Sequence, residues 1–83
     1  MARNYDQIRK QLASNIRRRR GFKDMSQEAL ALAAETDRSY ISQVERCIGN
    51  PSLLVLSKIA DALDVDIQEL FADRATIGPD TVK

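Results

Sequence analysis

Apolar residues return at helical intervals almost from the start of the chain. Tyr5, Ile8, Leu12 and Ile16 fall on one face, which predicts a first helix with that face inward. Asn4 and Gln7 have the spacing of a capping box at its start, and Gly21 is the expected stop. Met25 and Leu30 then straddle Ser26 as a hydrophobic staple around an N-cap. Gln27 and Glu28 open a short second helix whose apolar face is Leu30, Ala33 and Ala34. The stretch Ala34-Glu35-Thr36-Asp37 breaks the period, and Asp37 caps a third helix with Ile41, Val44 and Ile48 as its buried stripe. Cys47 to Pro51 reads as a loop. Ser52 caps a fourth helix with a core stripe of Leu53, Leu56, Ile59, Ala60 and Leu63. Leu54 and Val55 widen its apolar surface, as expected either of a deeply buried helix or of a dimer surface. Asp66 and Glu69 open a short fifth helix, stapled by Val65 and Leu70, with Ile67, Leu70 and Phe71 to be covered. Ala72 to Lys83 holds Gly78-Pro79 and no strong period. The expectation is an all-α, five-helix domain over residues 1–71 with a flexible tail over 72–83.

The outer face of the third helix is the chemically informative one. At about 100° per residue, Ser39, Ser42, Gln43 and Arg46 point away from Ile41 and Val44. Arg38 stands at the N-terminal end, the end of a recognition helix that enters the major groove. Arginine reads guanine bidentately, glutamine reads adenine, and serine contacts either a base or a phosphate. A polar face alone is an ordinary solvated helix. A short helix, a tight turn and a second helix with this face together point to DNA reading. Arg38 is the first candidate for base contact, with Ser39, Ser42 and Gln43 behind it. Tyr40 is a candidate for a phosphate or a thymine methyl.

Three segments carry a family resemblance: Ser26-Gln27-Glu28-Ala29-Leu30-Ala31, Asp37 to Arg46, and Asn50-Pro51-Ser52-Leu53. They resemble the Xre/Cro-like helix-turn-helix family of phage repressors and bacterial regulators. The segment Asp37 to Ser42 is also similar to the controller proteins of restriction–modification systems, a subgroup of that family. The resemblance implies a compact, lambda-repressor-like bundle that binds a double-stranded, near-palindromic operator as a homodimer. It implies a structural ion pair between Arg20 and Glu45, across the junction of the first and third helices. It implies that Gln27 bonds a phosphate and braces the start of the recognition helix. Arg17, Arg46 and Asn50 would join it on the DNA backbone, and Tyr40 is a further candidate there. Leu54, Val55, Ile67, Leu70 and Phe71 would meet the two-fold mate. Asp24, Glu35 and Cys47 stand where relatives often carry glycine, so Glu35 would need an unusual backbone if its φ is positive. Gly49 is the expected substitute stop after the third helix.

Charge sharpens the picture. The formal net charge is only +1, but residues 1–23 hold eight Lys or Arg against one acid, a net of +7, and residues 24–83 hold five against eleven, a net of −6. Such asymmetry suggests a polyanion on the basic side, with some of the run Arg17 to Arg20 touching phosphates. Arg3 belongs to an arm expected to fray. Eighty-three residues with 43% hydrophobic content allow one modest domain and no separate ligand-sensing domain. Histidine is absent, and neither a phosphate-cradling glycine loop nor metal-spaced cysteines occur, so no enzyme, cofactor or metal site is expected. The acids Asp61, Asp64, Asp66 and Glu69 fit capping and exposure better than a hard cation. Cys47 has no partner for an internal disulfide and reads as a small filler in a reducing cytoplasm. Neither a membrane span nor a secretion signal is expected. The competing function is an antitoxin that binds DNA and sequesters a toxin. No residue in the chain identifies a toxin or a polymerase contact.

Overall fold

The computed structural model describes residues 2–73. Among them the backbone forms five helices: α1 (Tyr5–Phe22), α2 (Gln27–Ala33), α3 (Arg38–Glu45), α4 (Leu53–Ala62) and α5 (Ile67–Leu70). The starts follow local chemistry. Asn4 Oδ1 accepts from the Gln7 N–H at 2.8 Å while Gln7 Oε1 accepts from the Asn4 N–H at 2.9 Å, closing the capping box. Ser26 Oγ accepts from the Ala29 N–H at 3.0 Å, and Ser52 Oγ from the Val55 N–H at 3.1 Å. Glu69 reaches back to the Asp66 N–H at 3.2 Å. Asp37 has the extended backbone of an N-cap, but its side chain makes no capping bond.

The helix ends share one device. Met25, Thr36, Ile48 and Val65 each donate a backbone N–H to the carbonyl five residues earlier, at 2.9, 2.9, 2.9 and 3.0 Å. The residue before each of them is left-handed: Asp24 at φ 57°, Glu35 at 57°, Cys47 at 62° and Asp64 at 60°. This is the Schellman arrangement, which normally takes glycine. The suspected positive φ at Glu35 is therefore present, and Asp64 joins the three positions singled out from sequence. Gly21 lies inside α1 and does not stop it. Gly49, although left-handed at φ 78°, comes two residues after Cys47 has already ended α3.

The core gathers Leu12 and Ile16 from α1, Leu30, Ala31 and Ala34 from α2 and its cap, Ile41 and Val44 from α3, Leu56, Ile59, Ala60 and Leu63 from α4 and its cap, and Leu70. α1 packs on α3 and α5, α2 on α3 and α4, and α4 on α5. α3 is thus held from behind by two helices, with its other side outward.

Several expected positions differ. Ala31 rather than Ala33 faces inward on α2. Tyr5 is 55% exposed, because the first turn of α1 overhangs the bundle. Ile48 is 49% exposed, because the chain leaves helical period at the α3 cap. Leu53, at the first position of α4, is 73% exposed, since helical side chains lean toward the N-terminus and this one leans past the helix end. Leu54 is also exposed and Val55 half-buried, the surface alternative for this helix. Leu70 is fully buried under α1 and α4, which removes it from the candidate subunit contact. Ile67 and Phe71 remain half-buried.

One buried polar residue was not anticipated. Asn15 is inaccessible to solvent, and its Nδ2 donates to the Leu70 and Ala72 carbonyls, both at 2.9 Å. The tail expected from residue 72 thus begins inside the fold, and its remainder, residues 74–83, lies outside the described residues. Among the described residues no helix is long and apolar enough to cross a membrane.

Candidate nucleic-acid interface

The inner side of α3 is fixed by a polar cluster at its C-terminal end. Arg20 Nε and Nη2 donate to Glu45 Oε2 and Oε1 at 2.7 and 2.9 Å, a bidentate pair. Gln27 Nε2 donates to the same Oε1 at 3.1 Å, and Arg20 Nη1 to the Met25 carbonyl at 2.8 Å. The Glu45 side chain is 3% exposed and that of Arg20 19%. The hydrogen bonds that Arg20 donates to Glu45 hold its guanidinium above its ordinary pKa, against the opposing pull of burial and with the help of the Glu45 charge. A raised arginine pKa means this contribution to stability is complete below the unfolded value and is lost only as pH rises through the folded one, above the neutral range.

Two further arginines of α1 serve the same end of α3. Arg17 Nη1 donates to the Glu45 carbonyl, and Arg9 Nη1 to the Cys47 carbonyl at 2.8 Å. The Glu45 carbonyl is one that the helix leaves unpaired, and the Cys47 carbonyl lies just past the cap, at the end where cations are favoured. The bond between Gln27 and Glu45 puts the glutamine's bracing at the end of α3 rather than at its start, as expected from the resemblance. Arg17, expected on phosphate, spends a donor inside the protein.

The basic excess of the N-terminal segment is spent in the same manner. Arg19 pairs with Glu69 at 3.0 Å, and Lys23 with Asp64 at 2.6 Å. Arg18 donates to Asn15 Oδ1 at 3.0 Å and lies over the Phe22 ring. Arg9 also meets Asp6 at 3.1 Å and lies over Tyr5. Arg3 is not frayed: its Nη1 donates to Gln11 Oε1 and, at 2.7 Å, to the Phe71 carbonyl at the end of α5. Three ion pairs, Arg19–Glu69, Arg20–Glu45 and Lys23–Asp64, therefore join the two charge blocks across the fold. Of the four acids Asp61, Asp64, Asp66 and Glu69, Asp64 and Glu69 enter these pairs and Asp66 is the N-cap of α5, and among the described residues no group of three or more His, Cys, Asp or Glu could hold a metal.

The outward face of α3 is different. Arg38, Ser39, Gln43 and Arg46 are exposed and Ser42 is half-buried. None of these five side chains has an intramolecular hydrogen bond or ion pair among the described residues. Of the described basic residues, only Lys10, Arg38 and Arg46 have no such partner, and two of these three flank α3. Asn50, in the loop beyond, is also exposed. Tyr40 is half-buried, and its hydroxyl accepts from the Ser52 N–H at 3.2 Å, which ties α3 to the start of α4.

Residues 16–70 match the helix-turn-helix family, a span that runs from the last turns of α1 to the end of α5. The chain belongs to this family. As a helix-turn-helix protein it is a DNA-binding transcription regulator and not an enzyme. It is 42% identical over 50 residues to control protein C.MunI of a Mycoplasma species, covering 60% of this chain and 68% of that protein. It is 46% identical over 55 residues to control protein C.BamHI of Bacillus amyloliquefaciens, covering 66% and 67%. The crystal structure of the restriction–modification controller protein C.AhdI from Aeromonas hydrophila superposes with a TM-score of 0.73 at 40% identity, covering 82% of this chain and all of that one.

The sequence reading overlooked the inward roles of Asn15 and Arg9. Asn15 stands between Leu12 and Ile16, so its place on the inner side of α1 could have been read from the same period. The destination of Arg9 carried no local signal, since its partner lies thirty-eight residues away.

Proposed function

We propose that this helix-turn-helix regulator is a controller of the kind its control-protein relatives are named for, binding a near-palindromic operator as a homodimer in the cytoplasm. The observation that supports this most is the unspent outer face of α3, in a fold where most other arginines are committed internally. α3 of each subunit enters one of two successive major grooves, about 34 Å apart. Arg38 reads a base bidentately, and Ser39, Ser42 and Gln43 contact neighbouring base edges. Arg46 and Asn50 hold the DNA backbone. Gln27 retains a second amide hydrogen and Tyr40 its hydroxyl hydrogen, so each can add a phosphate contact to its internal bond. Leu54, Val55, Ile67 and Phe71 supply the subunit contact, with the exposed Leu53 beside them, within a domain ending near residue 71.

Selection of bound duplexes from a random pool tests this reading. Two inverted copies of one half-site, with centres about 10–10.5 base pairs apart or a multiple of that, are expected. Enrichment of a single unrepeated motif would remove the dimer, and no enrichment would remove the regulator.

A further inference from the structure

The C-terminal end of α3 receives three arginines of α1. α1 presents Arg9, Leu12, Ala13, Ile16 and Arg20 along one side, with Arg17 at the edge of that stripe, at about 100° per residue. The middle of this stripe is apolar packing: Leu12, Ala13 and Ile16 are buried. Its polar members converge on the last residues of α3 and its cap. Arg20 takes the Glu45 carboxylate, Arg17 the Glu45 carbonyl and Arg9 the Cys47 carbonyl. The Arg20 pair is the one that the resemblance implies, and it ties a side chain. Arg9 and Arg17 hold the backbone itself, at two carbonyls two residues apart, on either side of the α3 C-cap Arg46. They reach over from the same rigid eighteen-residue helix.

We infer that Arg9 and Arg17 are positioning residues that fix the axial register and tilt of α3, and hence specificity, rather than ligands of the DNA phosphates. The inference rests on the assignment of α3 as the reading helix. Two charged donors from one helix leave α3 little freedom to slide or roll while its outer face engages base edges. Bidentate readout tolerates small displacement poorly, since both hydrogen bonds of a pair must form together. Loss of either clamp therefore weakens the match to the correct site more than it weakens binding to arbitrary sequence. A phosphate ligand does the opposite: its loss weakens all sequences alike.

The salt dependence separates the two roles. Each neutralised phosphate contributes about −0.9 to the slope of log affinity against log salt. The full chain is titrated with its selected duplex and with a scrambled duplex, over a range of salt, for wild type, Arg9→Gln, Arg17→Gln, Arg17→Lys and Arg46→Gln. The expected result for Arg9→Gln and Arg17→Gln is an unchanged slope and a specificity ratio lowered about tenfold or more. Arg17→Lys, which keeps a cation at the carbonyl, recovers much of the ratio. Arg46→Gln lowers the slope by about 0.9 and leaves the ratio unchanged. A fall of one slope unit in Arg17→Gln with an unchanged ratio would overturn the positioning role, as would a ratio untouched in both clamp variants. Amide exchange of the free protein adds a readout independent of DNA. The Arg46 to Ile48 amides are expected to exchange faster in each clamp variant while the Leu56 to Ala60 core stays protected; unchanged protection at the α3 end would count against the clamp. Should a glutamine variant fail to fold, Arg9→Lys and Arg17→Lys are read in the same way, with a wild-type slope and a partly lowered ratio expected, and a lowered slope decisive against. If wild type itself shows no preference for the selected duplex, the reading-helix assignment fails first; preference lost in Arg38→Ala with the clamp variants normal removes the clamp alone.

Discussion

α1 and α3 both carry arginines and amides between their apolar positions, yet the fold treats the two helices oppositely. On α1, Arg9, Arg17, Arg19 and Arg20 each find an acid or a carbonyl of another helix or of the turn that ends it. On α3 and its cap, Arg38 and Arg46 find none among the described residues. A guanidinium carries five donors in a fixed fork, and buried or half-buried ones are paired because the cost of leaving them dry is high. Arg38 and Arg46, which are exposed, keep theirs for a partner outside. The lesson is that positive charge in this protein is available to an outside partner only where the fold leaves it over. The four-arginine run, the more conspicuous sequence feature, is committed to contacts inside the fold, and Arg38 and Arg46 are the arginines left over for the proposed DNA contact.

The sharpest way to break this contrast is Glu45→Ala. It leaves Arg20 half-buried without its carboxylate and removes the partner of Gln27, so a loss of about 3 kcal/mol is expected, at the low end for a broken buried pair because Arg20 keeps some contact with water. Denaturant unfolding measures it, and an unchanged midpoint would show the pair to be idle. Arg38→Ala probes the other side. Folding stability is expected to stay within about 0.5 kcal/mol of wild type. Operator affinity is expected to fall by about 1–3 kcal/mol, with one base position relaxed in a repeated selection. Intact specificity in that variant would dissolve the division between spent and unspent arginines.

The smallest effect sharpens the comparison at the helix ends. Asp24 is left-handed at φ 57° and pays the strain of a Cβ there. Asp24→Gly is expected to raise stability by about 0.5–1 kcal/mol, after the extra flexibility of glycine in the unfolded chain is set against the relieved strain. Asp64→Gly should yield less, because it also removes the Lys23 contact at 2.6 Å. Thermal unfolding of both variants reads the difference; a destabilised Asp24→Gly would mean that the aspartate makes a compensating local bond.

Much of the fold was legible because its signals are local. Ser26, Ser52 and the Asn4–Gln7 pair cap their helices with bonds spanning three residues, and the stripes of Leu12, Ile16, Ile41, Val44, Leu56 and Ile59 repeat with the helical period. The errors fall where that period stops applying. Ile48 lies beyond a cap and Leu53 at a helix start, and both turn to solvent. The Xre-like resemblance supplied the Arg20–Glu45 pair, which periodicity alone could not have joined across twenty-five residues. For the outer face of α3, the sequence named polar and basic residues on one side of a helix, and the structure adds that this side is left uncovered by the described residues.

By itself, then, the sequence determined where helices begin, which faces turn inward and that the third helix bears a polar outer side, because capping and amphipathic burial act over a few residues. The tertiary structure alone decided which charges remain available. The partners of Arg3, Arg9, Arg17, Arg19, Lys23 and Asn15 are brought close only when α1 packs on α3 and α5, and an arginine's role depends on whether folding places an acceptor within reach of its guanidinium.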